Sequence, residues 1–315
     1  MKRTEVLLCL PRINWRSMDF EVELKSRVDE IEEIIAKYLP KEEGYAKTVI
    51  EAMNYSIQAG GKRIRPLLMK EVYTMYGGSG VEVEYFMTAL EMIHTYSLIH
   101  DDLPCMDNDE YRRGRKTTHV VYGEGMATLA GDGLLNMACE VASEAFDTDA
   151  DPARVGKAIK YLFGKAGIYG MIGGQTADIE AEKMDQRFVD DARLIYIHEH
   201  KTGALIQAAM VIGGILGGAN DITQRTLSKI ARNVGVAFQI QDDILDVTST
   251  FEELGKPIGS DIKNQKTTYV TLHGLEASVK EVEKLSNEAI TLLHTIPYDN
   301  PFLEELLKSL ISRKK

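Results

Sequence analysis

The segment Gly203–Gly218, GALIQAAMVIGGILGG, is apolar on nearly every side and rich in Ala and Gly. A helix that is hydrophobic all round has no face to offer to water, so it must lie buried among other elements. The rest of the chain supplies those elements. Val22, Leu24, Val28, Ile31 and Ile35 recur at helical spacing, as do Phe86, Leu90, Ile93 and Ser97, with Ala89 and Tyr96 beside them. Leu227, Ile230, Val234, Phe238, Gln241 and Leu245 form a third row. Steps of three and four mark one face of a helix with about 3.6 residues per turn. Alternating patterns bounded by turn residues are scarce, and the best strand candidate, VEVEYF at 81–86, runs straight into the second row. The expected fold class is all-α, as a single helical domain without a long linker or low-complexity tract.

No run of about 18 apolar residues occurs, so no membrane span is expected. The 37 Lys and Arg against 48 Asp and Glu leave a net charge of −11, which argues against nucleic acid as a partner. It does not exclude a small anion, because a local basic cluster can override the total. Cys9, Cys105 and Cys139 are odd in number and far apart, without zinc spacing, so a reducing cytoplasm is expected. The apolar run Val6–Leu10 is too short for a secretory signal and meets Pro11 and Arg12 at once. Residues 1–18 are read as a poorly ordered extension, with the folded part spanning 19–315.

Two acid-rich motifs end long helical rows, 141 residues apart. In QDDILD, Asp242 and Asp246 are four apart and share one helical face. Like charges at that spacing destabilise a bare helix, and a divalent cation between them offsets the cost. Oxygen-only ligation selects a hard ion, Mg²⁺ with Mn²⁺ as the alternate. Mg²⁺ usually takes one or two carboxylates plus substrate phosphates, so the motif hints at a phosphorylated ligand. In HDDLPCMDND, Asp101 and Asp107 are six apart, roughly 120° out of alignment on an unbroken helix. Pro104 disrupts the backbone ladder, and a bulge between 103 and 106 is expected to swing Asp107 back. A lone Asp pair is usually a solvated helix end; here both motifs lie in apolar surroundings.

Four basic clusters stand against the net negative charge: Lys62, Arg63 and Arg65 in GGKRIRP; Arg112, Arg113, Arg115 and Lys116 in RRGRK; Lys201 beside Thr202; and Lys256, Lys263 and Lys266 after the second motif. Arg offers forked donors to phosphate oxygens, and Lys a point charge. Gly60–Gly61 would allow a close backbone approach to such a ligand. Lys263 and Arg115 are read as ordinary surface residues. Lys62, Arg65, Arg112 and Arg113 are candidates for a phosphate site.

From about Glu42 to Thr268 the chain resembles the trans-isoprenyl diphosphate synthases. The resemblance rests on the ordered set GGKRIRP, LEMIHTYSLIHDDLPCMDNDEYRRG, LAGDGLL, GGQTADIEAE, HKTGAL, FQIQDDILD and GKPIGSDIKNQKTTY. The DDxxxxD form of the first motif looks like the bacterial farnesyl type and the plant-type geranylgeranyl synthases. The resemblance implies an isoprenoid-synthase-like bundle around a central cavity, and a homodimer. It implies that Asp101 and Asp107 bind two Mg²⁺ holding an allylic diphosphate, with Asp102 in the same motif. Asp242 would bind a third ion, with Asp246 nearby. Arg112, Lys201, Lys256 and Lys266 would contact the allylic diphosphate. Lys62, Arg65, Arg113 and His94 would hold isopentenyl diphosphate. Thr202, Gln239 and the Lys201 carbonyl would face the developing cation, and Gln175 and Asp178 would support the metals through water. Without the resemblance, His94, Gln175 and Gln239 read as plain helix polars.

The implied reaction joins isopentenyl diphosphate to dimethylallyl or geranyl diphosphate, giving farnesyl diphosphate. Tyr96 lies five residues before Asp101, about 7.5 Å along a helix, where an aromatic can floor the product channel, with Ser97 beside it. A large residue there looks like a farnesyl synthase; geranylgeranyl or geranyl diphosphate are the alternative products. A silent regulatory subunit should have lost some motifs, and a terpene cyclase needs no Lys62, Arg65 and Arg113. The 256–266 loop and the basic tail Ser312–Lys315 are the candidates for closing the site.

Overall fold

The computed structural model describes residues 20–184, 188–248 and 267–311. These residues are almost wholly helical: α1 (Phe20–Lys37), α2 (Lys47–Ile57), α3 (Ile64–Met75), α4 (Glu82–Asp101), α5 (Thr118–Tyr122), α6 (Glu124–Ser143), α7 (Pro152–Ala166), α8 (Met171–Lys183) and α9 (Asp191–Ile197). After a π-helical turn at His198–Thr202 come α10 (Gly203–Gly217), α11 (Asp221–Thr248), α12 (Tyr269–His273), α13 (Leu275–Leu293) and α14 (Pro301–Ile311). The one sheet among the described residues is a two-stranded hairpin, β1 (Tyr111–Arg112) and β2 (Arg115–Lys116), antiparallel with Tyr111 opposite Lys116. The strand candidate at 81–86 is the first turn of α4, because its apolar residues continue the helical row.

Every residue of α10 from Gly203 to Leu216 is buried. Its neighbours are α3, α4, α7 and α11, so the all-apolar helix is wrapped as its sequence demands. The packing is close because α10 carries glycine at the contacts. A Cβ on Gly213 would stand 2.4 Å from the Met69 carbonyl oxygen of α3. The helix stops at Gly218, whose φ of 88° is left-handed. The other long pairs are α4 with α6 and α11 with α13. Local signals set several starts: Asp151 accepts from the Ala153 amide ahead of Pro152, and Thr268 and Thr271 form a capping box on α12. No helix among the described residues is long and apolar enough to cross a membrane. The expected 1–18 extension, Lys256, Lys263, Lys266 and Ser312–Lys315 lie outside the described residues.

Candidate active site

The first acid-rich motif is built by ending a helix, not by bulging one. α4 stops at Asp101, and Pro104 sits in the turns that follow. Met106 N–H donates to Leu103 O at 2.8 Å, Asn108 N–H to Leu103 O at 3.1 Å, and Asp107 N–H reaches back to Asp101 O at 2.8 Å. Asn108 takes a left-handed φ of 54° to close the turn. The six-residue spacing is thus folded back on itself. The expected in-helix bulge is corrected: a proline that cannot continue the ladder ends it instead.

Asp101 is half-buried, and its carboxyl is pushed up to about 6, first by desolvation and then by Asp107 and Asp102, against the pull of Lys201 and Arg112. Crowded carboxylates held away from water disfavour their own charge, and a divalent cation relieves that cost. The oxygen-only donors of Asp101 and Asp107 fit Mg²⁺. No three acidic, His or Cys side chains among the described residues form a cage by themselves. A site with room for substrate oxygens fits the habits of Mg²⁺. Asp102, expected among the metal ligands, is buried, and both its oxygens accept from Arg112 at 2.6 to 2.9 Å. That fork aims Arg112 from the hairpin toward the motif.

A chain of side-chain contacts links the first motif to the helix of the second. Gln175 of α8 donates to Asp101 at 2.8 Å. One turn on, buried Asp178 accepts from Lys201 Nζ at 2.6 Å. The neighbouring Thr202 hydroxyl donates to Gln239 Oε1 of α11 at 2.8 Å. Gln175 and Asp178 thus each hold a side chain of the motif region directly, Gln175 the Asp101 carboxylate and Asp178 the Lys201 ammonium. Asp242 and Asp246 follow on the same unbroken helix, Asp246 buried and Asp242 half-buried. Buried Asp243 accepts from the Tyr269 amide at 2.8 Å and lies 3.9 Å from His198, fastening α11 to α12 and to the π-turn.

On the other side lies a knot of positive charge. Arg65 Nη1 is 3.4 Å from His94 Nε2, and Arg65 Nε is buried without a hydrogen-bond partner among the described residues. Desolvation and then Arg65 and Arg113 push the His94 imidazole well below its usual value, so it is neutral at pH 7. Arg65 and Arg113 are lowered by burial and by positive neighbours. Glu91 is the strongest opposing charge on both arginines, and a cluster of cations pressed together in this way favours binding of an anion. Lys62 is exposed at its edge. Gly60–Gly61 makes room for Arg113 itself: the guanidinium donates to the Gly60 carbonyl, and a Cβ on Gly61 would stand 2.7 Å from Nη1. Arg115, read as a plain surface residue, is exposed yet covers the Tyr55 ring at 4.4 Å.

Between these groups is a cavity of about 480 Å³. Arg65, His94, Tyr96, Ser97, Asp101, Gln175, Lys201 and Thr202 all line it, while Met171, Ile179, Leu135 and Leu205 supply apolar wall. Tyr96 is 5% exposed, with its hydroxyl buried. Arg112 and Arg113 line a separate small pocket with Thr95, Leu98 and Asp102.

Two features escaped sequence reading. Arg63 was assigned no role, yet its left-handed backbone (φ 44°) sends a fully buried side chain inward to Glu32, Glu91 and the Ile57 carbonyl. Its only signal was position, between two cations that point elsewhere. The π-turn carrying Lys201 and Thr202 widens the ladder where the helix approaches α8, and nothing in HKTG announces it.

A profile of the polyprenyl synthetase family matches residues 46–295. A farnesyl diphosphate synthase of Geobacillus stearothermophilus is 45% identical over 258 residues, covering 82% of this chain and 85% of the relative. A geranylgeranyl diphosphate synthase of Cyanophora paradoxa is 43% identical over 267 residues, covering 84% and 87%. Among solved structures, a geranyltransferase of Helicobacter pylori, complexed with magnesium and isoprenyl diphosphate, superposes with a TM-score of 0.78 at 32% identity, covering 94% of this chain and 97% of that one.

Proposed function

The chain belongs to the polyprenyl synthetase family, and we propose that it condenses isopentenyl diphosphate with dimethylallyl and geranyl diphosphates to give farnesyl diphosphate. The observation that carries this is the cavity lined both by Arg65, whose buried Nε has no hydrogen-bond partner among the described residues, with neutral His94 beside it, and by the raised carboxyl of Asp101. One wall asks for an anion and the other for a cation, and a pair of diphosphates with Mg²⁺ supplies both.

In this reading Arg65, His94, Lys62 and Arg113 hold isopentenyl diphosphate. Asp101, Asp107 and Asp242 hold about three Mg²⁺, the usual sharing of carboxylates with substrate phosphates, with Asp246 beside them. The ions supply charge neutralisation of the leaving diphosphate. Arg112, aimed by Asp102, and Lys201, held by Asp178, add fixed positive charge where the allylic carbon–oxygen bond ionises. Lys256 and Lys266 act on the same ligand. The Thr202 hydroxyl and Gln239 amide, locked together, turn oxygen dipoles toward the allylic cation, as does the Lys201 carbonyl. The double bond of isopentenyl diphosphate attacks, and the departed diphosphate removes the proton. The apolar walls exclude water, which would otherwise quench the cation.

Tyr96 at the cavity wall supports a C15 product. Relatives named as geranylgeranyl synthases favour C20 as the second reading. The same proposal takes 19–315 as one synthase domain preceded by an extension, acting as a cytoplasmic homodimer. Incubation with dimethylallyl diphosphate and labelled isopentenyl diphosphate, with Mg²⁺ or with a chelator, tests it. Metal-dependent elongation to C15 is expected; no elongation rejects it.

A further inference from the structure

α4 and α6 cross beside the cavity, and one contact there has no part in the chemistry above. The His100 imidazole fills a gap in α6: a Cβ on Gly131 would stand 2.1 Å from its Nε2 and 2.4 Å from its Cδ2. Nε2 is also 3.1 Å from the Thr128 carbonyl oxygen. A carbonyl only accepts, so Nε2 carries the proton and donates. The ring is therefore held twice by α6, by shape and by a hydrogen bond. Its other side meets Tyr96 one turn back, edge-on, with centroids 5.8 Å apart and planes at 73°. Both rings line the cavity. The Tyr96 hydroxyl has no hydrogen-bond partner among the described residues. Packing alone therefore keeps the tyrosine ring in place, and His100 is one of its packing surfaces.

We propose that His100, keyed into the Gly131 gap, is the positioning residue that holds the Tyr96 floor and thereby sets how many isoprene units the cavity admits. This rests on the reading that the cavity houses the growing prenyl chain. Without the imidazole, Tyr96 can lean toward α6 and the floor drops. With a methyl group on Gly131, the imidazole is driven out of its gap into the cavity and the floor rises.

Wild-type, His100→Ala, His100→Gln, Gly131→Ala, Tyr96→Ala and the His100→Ala/Tyr96→Ala double variant are incubated with dimethylallyl diphosphate, labelled isopentenyl diphosphate and Mg²⁺. Products are resolved by chain length. His100→Ala should raise the ratio of the next longer product to the wild-type product by about tenfold, the low end of what one hydrophobic increment discriminates. His100→Gln, which keeps an N–H within reach of Thr128, should return toward the wild-type ratio. Gly131→Ala should shift products shorter. In the Tyr96→Ala background, His100→Ala should add no further lengthening. A change of stability alone would lower turnover without moving these ratios. If the wild type elongates but His100→Ala and Gly131→Ala both keep its distribution, the inference is overturned. Full additivity with Tyr96→Ala overturns it as well. Should His100→Ala fail to fold, Gly131→Ala decides. A wild type that elongates nothing overturns the functional reading beneath it, a different result.

Discussion

The backbone N–H of Asp107 donates to the carbonyl oxygen of Asp101 at 2.8 Å, although the two residues are six apart in sequence. That bond folds Asp107 back toward Asp101, whose charge is already disfavoured by burial. It has a consequence in pH. The Asp101 carboxyl sits at about 6 in the folded protein against an ordinary 3.8. Between those values the folded state keeps a proton that the unfolded chain has released. The stability this group contributes is full below the lower value and is lost as pH rises through the higher one. A bound cation competes with that proton. Mg²⁺ should therefore raise Tm over the chelator-treated protein more at pH 7 than at pH 5, and Asp101→Asn should flatten the difference. Equal Mg²⁺ gains at both pH values in the wild type would count against this.

Arg63 ties four segments with one side chain. It reaches Glu91 at 2.7 Å, Glu32 at 2.7 and 2.9 Å, and the Ile57 carbonyl at 2.6 Å, while its own backbone starts α3. Arg63→Met would leave the buried Glu91 carboxylate unpaired. Breaking a buried pair this way costs about 3–5 kcal/mol, read as a fall in the urea midpoint. Because Lys62 and Arg65 flank it, the KM for isopentenyl diphosphate should rise more than that for the allylic substrate. An unchanged urea midpoint would remove Arg63 from this role.

Gly174 lets α8 touch the π-turn. A Cβ there would stand 2.1 Å from the Lys201 amide nitrogen and 2.6 Å from the His200 carbonyl carbon. Backbone atoms cannot step aside as a flexible side chain can. Gly174→Ala should therefore cost about 1–3 kcal/mol by overpacking and should lower kcat by shifting Lys201 away from Asp178. Thermal melts and steady-state rates check both, and a fully active, equally stable variant would show that the turn yields freely.

Tyr96→Ala removes a nearly buried ring from the cavity wall. The product should lengthen by one or more isoprene units, seen by chromatography of the dephosphorylated alcohols. An unchanged product length would move the floor elsewhere. Stability should fall by about 3–5 kcal/mol unless the opened space refills with product.

The fold class was readable because helical periodicity is a local property. The three apolar rows predicted α1, α4 and α11 without any knowledge of partners. The strand candidate at 81–86 misled only until its apolar residues were followed into the next turn. Among the candidate site residues, the aspartates stood out because charge is costly in apolar surroundings unless something uses it, Arg65 because it follows a double glycine in a basic cluster, and Lys201 only through the family resemblance. Arg63 did not stand out, since a cation among cations has no local mark of being turned inward. His100 was hidden for a related reason: its meaning depends on a missing Cβ on α6, thirty-one positions away.

Residue order alone thus decided that the chain is helical, that α1, α4 and α11 present one apolar face and α10 lies inside, and that two acid-rich motifs stand in apolar surroundings. All of these follow from spacing, capping and hydrophobicity along a single helix. Tertiary structure alone decided that the first motif closes by a terminated helix, that Lys201 rides on a π-turn against Gly174, and that Arg65, His94, Asp101 and Tyr96 share one cavity. Those are contacts between segments far apart in the chain. Their geometry is fixed by how closely backbones approach, which no local pattern records.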